Sequence, residues 1–356
     1  MPLKKSIERS KPNMTDYKES KEELELSELF EGNSPSNISK VVSKAKRRTV
    51  LRTIAISSLV VVFLSITLGF TWLSLMRWSE EKAIRDIELF SWITDPNVEE
   101  LGVQTEGNGL FEGIITFNRY KEIEGIPVNW SDDVFTYSLF GGVSRLSGDH
   151  SPIQIQDKND GQMRHYDRVT KQRMMRFYHP EVRYSEFSDD LAILSEFADD
   201  TLVEMALSFD RKYSPEEVRE GIPEGITLKW HWVDTYSKIY IDGVNAKNIE
   251  MKNGDTIKME ASPERAIQIY GFEDSSESEQ RFIQSIEKGL RLEAGKYFGE
   301  YERIHHNMKG DSSTLTADNL NIIGAVVTGT AQELTALEDV DMIRASVLGV
   351  TANPNK

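Results

Sequence analysis

The side chains in this sequence able to do chemistry are histidines, carboxylates and aromatics. None of the 356 residues is cysteine, which removes disulfides, thiolate zinc ligands and thiol nucleophiles at once. His305 and His306 are adjacent. Neighbours on a helix point about 100° apart, so the two do not face one metal, and no HExxH occurs. His165-Tyr166-Asp167 invites a triad, yet there is no GxSxG elbow to present a serine. The run from Asp157 to Gly161 resembles a calcium loop. Its glycine falls one position early, however, and Arg168 stands where the closing glutamate belongs, so it reads as a turn. Gly107-Asn108-Gly109 with Gly113 lacks the strand-then-helix setting of a dinucleotide loop. Asp189-Asp190 and Asp199-Asp200 have the chemistry of a cation site or an acid–base pair, but solvated loop and cap carboxylates are far commoner. Trp230, Trp232, Trp92 and Trp130 suit stacking on a sugar, and core packing is their ordinary use. The expectation is a protein that is not an enzyme, with no catalytic residues, no cofactor and no metal.

A binding surface is the better prospect. Thr15 or Asp16 caps a predicted helix, YKESKEELELSELFEG, which Gly32 stops. Leu26, Leu29 and Phe30 share one face at i, i+3, i+4 spacing, with Tyr17 and Leu24 extending it less regularly. A free helix of this length is marginal alone. Either the stripe docks in a groove on a partner, or the segment is a charged linker helix. The pattern leaves both open.

The element that positions this tail is Thr53–Met76, TIAISSLVVVFLSITLGFTWLSLM, which carries no charge. As a helix it is about 36 Å long, enough to cross a hydrocarbon core of about 30 Å. It is too long, and begins too late, for a cleaved signal peptide. Trp72 and Trp78 bracket its far end, where amphipathic rings favour the headgroup layer. Six basic residues, from Lys40 to Arg52, precede it, while Arg77, Lys82 and Arg85 follow among acids. The positive-inside bias predicts a cytoplasmic N-terminus, in a single-pass protein of the cell membrane.

The net charge of −16 divides unevenly: residues 1–48 carry +3, Arg52 adds +1, and residues 77–356 carry −20. So acidic an outer part argues against nucleic acid as a direct partner. Past the span, the helix continues from Arg77 to Ile93 and stops at Asp95-Pro96-Asn97. Residues 101–145 read as strands and turns. MRHYDRVTKQRMMRFYHPEVRY reads as a helix broken at Pro180. TLVEMALSFD and GITLKWHWVDTYSK are strands flanking a helix that starts at Ser214-Pro215, a βαβ-type unit. Asp242-Gly243 and Asn253-Gly254 signal hairpins. Ser278–Gly289 and Leu290–Met308 read as helices, and LNIIGAVVTGT, AQELTALEDVD and MIRASVLGVT as strand, helix, strand.

The stretch SKAKRRTVLRTIAISSLVVVFLSITLG, with ELFSWITDPNVE after it, resembles the N-terminal module of the sigma-factor-regulator family. VEMALSFDRKYSPEEVREGIPEGITLKWHWVDTYSK and NIIGAVVTGTAQELTALEDVDMIRASVLGVT resemble its C-terminal module. The resemblance implies a membrane-anchored anti-sigma factor. Such a protein holds an extracytoplasmic-function sigma factor at the inner membrane face and releases it on envelope stress, in a bacterium with a Gram-positive type of envelope. The short tail leaves room for a second small membrane protein in the complex. The competing expectation is an anchored extracytoplasmic wall-binding protein or hydrolase whose tail is only an anchor.

The expected organisation is therefore a cytoplasmic tail (1–48), a transmembrane helix (49–78), a membrane-proximal helix with a β-rich outer region (79–190) and an α+β C-terminal outer domain (191–356). The last is expected to carry ferredoxin-like βαβ units with a hairpin insertion.

Overall fold

The computed structural model describes residues 35–354, apart from 159–160, 246–247, 251–255, 259–260, 311 and 313. Tyr17, Leu24, Leu26, Leu29, Phe30 and the tail helix predicted to carry them lie outside the described residues. The chain divides into two units, with the boundary between Leu73 and Ser74.

Helix α1 (Pro35–Ser91) contains the apolar run and is long and apolar enough to cross a membrane. Its large apolar side chains from Ile54 to Leu73, Trp72 apart, are exposed. The hydroxyls of Thr53, Thr67 and Thr71 donate back to carbonyls one turn earlier, which satisfies them inside the helix where lipid offers no partner. Beyond Leu73 the burial pattern changes. Ser79, Ala83, Asp86 and Ile87 are buried, spaced so that they form one stripe. Asp95 and Asn97, either side of Pro96, both take left-handed backbone conformations and turn the chain out of the helix.

Five strands follow: β1 (Glu99–Gly107), β2 (Glu112–Ile123), β3 (Ile126–Asn129), β4 (Asp133–Ser138) and β5 (Val143–Ser147). They form an antiparallel sheet in the order β1-β2-β4-β5, with β3 paired to β2. Alternate residues of β2 and β4 are buried, as the alternating sequence predicts. Ile115, Phe117, Phe135 and Tyr137 pack there with Ala83 and Ile87 of α1.

The helix predicted over residues 163–184 does not form. Strands β6 (Ile153–Gln156) and β7 (Met163–Tyr166) pair, and β8 (Arg176–Phe177) follows. The Asp167 carboxylate accepts from the Val169 and Thr170 backbone N–H groups, and Lys171 is left-handed. This local turn ends any helix before it starts.

The second sheet contains β9 (Leu202–Tyr213), α2 (Pro215–Gly221) as a connection, and β10 (Thr227–Val233). Ser214 caps α2 with a complete capping box to Glu217. Next come α3 (Lys238–Asn245), β11 (Asn248–Glu250), β12 (Thr256–Lys258), β13 (Glu264–Arg265), β14 (Tyr270–Glu273), α4 (Ser278–Leu290) and α5 (Phe298–Lys309). Strand β15 (Ile322–Thr330), helix α6 (Ala331–Leu334) and strand β16 (Ile343–Ala352) complete the chain. The Asp242-Gly243 hairpin is replaced by α3. There the Ser237 hydroxyl accepts from Tyr240 N–H at the helix start, and Ile241 is buried, so capping and burial override the turn signal. The second dipeptide, Asn253-Gly254, lies outside the described residues, although β11 and β12 pair antiparallel. The helix expected from Leu290 begins only at Phe298, after turns closed by Leu292, Gly295 and Phe298 N–H groups.

The sheet order is β14-β10-β15-β9-β16, with every neighbouring pair antiparallel. Strands β9 and β10 flank β15 rather than pairing with each other, and β15 and β16 flank β9 in the same way. Each βαβ unit is thus split by a strand of the other. Strand β9 is buried on both faces from Leu202 to Phe209. Val203, Met205, Leu207 and Phe209 face α4, α5 and α6, while Ala206 joins Met175, Phe177, Tyr178, Trp230 and Trp232 on the opposite face.

Candidate functional site

The residues with the most to do are at the C-terminal end of α1, where the helix is clamped into both five-stranded sheets. The Ser79 hydroxyl donates to the Ser138 carbonyl at 2.6 Å, and the Tyr137 hydroxyl to Glu80 at 2.9 Å. About two turns further, the buried Asp86 carboxylate accepts from Lys296 N–H at 3.1 Å, just before α5. Phe90 stacks on Tyr297 with centroids 3.8 Å apart and meets Tyr270 and Tyr301 edge-on. Ile93 is fully buried, and its carbonyl accepts from Gly271 N–H of β14 at 2.9 Å. Within eleven residues the chain passes from the core of the first sheet (Ala83, Ile87) to that of the second (Phe90, Ile93).

One buried polar cluster joins those sheets, and a second lies against the first sheet alone. Lys121 of β2 meets Glu204 of β9 at 2.8 Å, and Asn97 donates to the same carboxylate at 2.7 Å. Val350 N–H completes the shell of Glu204, and the Lys121 ammonium lies 4.5 Å from the Trp130 ring centre. The second cluster centres on Arg119, whose Nε donates to Ser131 O at 2.8 Å. Its terminal nitrogens lie 3.2 Å from Asp133 and 3.8 Å from both Asp95 and Asp149. Arg145 adds a contact to Asp133 at 2.7 Å. Burial pushes Asp133 up to about 7 despite its two guanidinium partners, and the other two carboxylates add to the rise. Asp95 is raised for the same reason, burial leading.

The residues singled out from sequence for chemistry are dispersed. His305 and His306 lie on α5 without a metal-ligating cluster around them among the described residues. His165 faces Arg176, and burial with that guanidinium lowers it to about 4. Asp167 accepts instead from Ser131 at 2.5 Å and from its own turn. Asp190 is buried between Arg173 (2.6 Å) and Arg164 (3.2 Å), and accepts Leu348 N–H of β16. Asp199 and Asp200 are exposed. Trp230, Trp232 and Trp130 are buried, while Trp92 is exposed, so the four do not form a stacking platform. Gly107 to Gly113 is the β1–β2 turn, closed by Asn108 N–H to Glu112 O. Arginines 164, 173, 176 and 265 line a cavity of about 570 Å³. Sequence reasoning missed the Lys121–Glu204 and Arg119 clusters. Their signal is charge at buried positions of strands, alternating in β2 and continuously buried in β9.

The described residues thus contain one long apolar helix followed by a region whose two largest sheets are five-stranded. Residues 39–128 match the family described as sigma factor regulator N-terminal, and residues 194–350 that described as sigma factor regulator C-terminal. The chain belongs to the sigma factor regulator family. Its general role is that of an anti-sigma factor, a regulatory protein with a sigma factor as partner and α1 as a membrane anchor. No curated protein and no solved structure matches it.

Proposed function

We propose that this anti-sigma factor holds an extracytoplasmic-function sigma factor at the inner face of the membrane and releases it on envelope stress. Residues 1–48 are the cytoplasmic tail, 49–78 the span, and 79–190 and 191–356 the two outer parts. The observation that carries this reading is the continuity of α1. One uninterrupted helix includes the apolar run and ends in the clamp from Ser79 to Ile93. The ferredoxin-like reading of the C-terminal part rests on the strand order β10-β15-β9-β16 and its two split βαβ units.

In the tail, Leu26, Leu29 and Phe30 bury their stripe on the sigma factor, helped by Tyr17 and Leu24. Sub-micromolar holding needs about −8 kcal/mol or better. Three fully buried apolar side chains supply roughly 1.5–3 kcal/mol each before ordering costs, so the flanking residues must contribute.

The test is co-purification from solubilised membranes. A sigma factor accompanies the wild-type chain and is lost from a Leu26→Asp/Phe30→Asp double variant. Retention by the double variant would reject this contact face. Exchanging residues 1–39 for an unrelated tail tests the role itself: unchanged target-gene transcription would leave the wall-binding or hydrolase reading standing.

A further inference from the structure

The end of the first sheet that lies beside the start of the clamp is apolar and uncovered. Phe140 is 88% exposed, Leu110 68%, Phe111 59% and Trp78 54%. These side chains belong to one neighbourhood. Leu139 N–H donates to Phe111 O at 2.8 Å, which ties the β4–β5 turn to the β1–β2 turn. Ser79 reaches Ser138 O at 2.6 Å, and Lys82 Nζ lies 5.6 Å from the Trp78 ring centre. A soluble surface seldom presents three large apolar side chains at adjoining turn tips.

The chain itself says what covers them. Contacts between α1 and the first sheet run in order. Ser79 and Glu80 meet the residues just before the β4–β5 turn, Ala83 and Ile87 meet the middle of the sheet, and Ile93 has moved on to β14. The two turn tips therefore lie level with Trp78, two residues after the uncharged run ends at Met76. At 1.5 Å per residue, that places them within about 3 Å of the end of the run along the helix. An aromatic at that depth favours the headgroup layer, and Arg77 and Lys82 carry the charge suited to its phosphates.

We propose that the tips of the β1–β2 and β4–β5 turns, through Leu110, Phe111 and Phe140, insert into the interfacial layer of the bilayer that α1 anchors the chain to. The first sheet then rests on the bilayer, and the lipid surface becomes one of the contacts that fix the clamp. The inference rests on α1 being the membrane anchor.

The absence of cysteine gives a clean test. Single variants Phe140→Cys, Phe111→Cys, Val169→Cys and Phe63→Cys of the full-length chain carry a nitroxide label in phosphatidylcholine–phosphatidylglycerol vesicles. Collision with oxygen is compared with collision with a water-soluble nickel chelate. The expected result is a several-fold higher oxygen-to-nickel ratio at 140 and 111 than at 169, which lies on a distant exposed turn, and the highest ratio at 63. Ratios at 140 and 111 equal to that at 169, with 63 deep in lipid, overturn the inference and leave the anchor standing. A water-like ratio at 63 rejects the anchor, and with it the premise of the inference.

Discussion

Lys121 and Glu204 meet at 2.8 Å with both side chains almost wholly removed from solvent, one from each five-stranded sheet. Charges so buried do not persist singly. Removing one partner leaves the other uncompensated at a cost of about 3–5 kcal/mol. Lys121→Met and Glu204→Gln should each strongly lower the urea midpoint of the unit Ser74–Lys356, while the double variant should recover much of the loss. A double variant no better than the sum of the singles would mean that the two residues act independently.

Burial pushes the Asp133 carboxyl up to about 7 against the pull of Arg119 and Arg145. Its folded value lies above its unfolded one. Its contribution to stability is therefore present in full below about pH 4 and is lost as pH rises through about 7. His165, lowered to about 4, works in the opposite sense. The unfolded chain takes up the proton that the fold refuses, so stability falls as pH drops from about 6.5 towards 4. Asp133→Asn should therefore compare better with wild type at pH 8 than at pH 5, and His165→Asn should flatten the acid limb. Thermal unfolding at several pH values measures both slopes.

Phe90 is the point where α1 passes into the second core, stacked on Tyr297. Phe90→Ala should cost roughly 2–4 kcal/mol, since the residue is only partly buried. Hydrogen exchange at amides 79–93 should speed up, with strand β9 unaffected. Exchange that rises equally in β9 would point to global loosening instead.

Gly324 shows how tightly the second sheet is built. A Cβ there would come within 2.5 Å of the Leu207 carbonyl oxygen and 2.8 Å of the Trp232 ring. Gly324→Ala should destabilise by about 1–3 kcal/mol. Gly107→Ala, with nothing within 4 Å, should leave the unfolding midpoint unchanged.

The sequence by itself determined the features that depend on neighbours in the chain. The uncharged run from Thr53 to Met76 announces the anchor helix because hydropathy and length are local properties. The stop at Asp95-Pro96-Asn97, the helix start at Ser214-Pro215 and the alternation in β2 and β4 are legible for the same reason. Local signals failed where tertiary contacts competed with them. Asp242-Gly243 became part of a helix because Ser237 could cap it and Ile241 could be buried. The segment after Met163 became turns and short strands because Asp167 captured its own backbone. The tail stripe was legible only as a pattern, and its residues lie outside the described structure. Tertiary structure alone decided that β15 separates β9 from β10, that Glu204 of β9 would find Lys121 of β2, and that α1 would bridge two cores. Each of these joins residues far apart in sequence, and which pairs close depends on packing and burial summed over the whole chain rather than on any window of it.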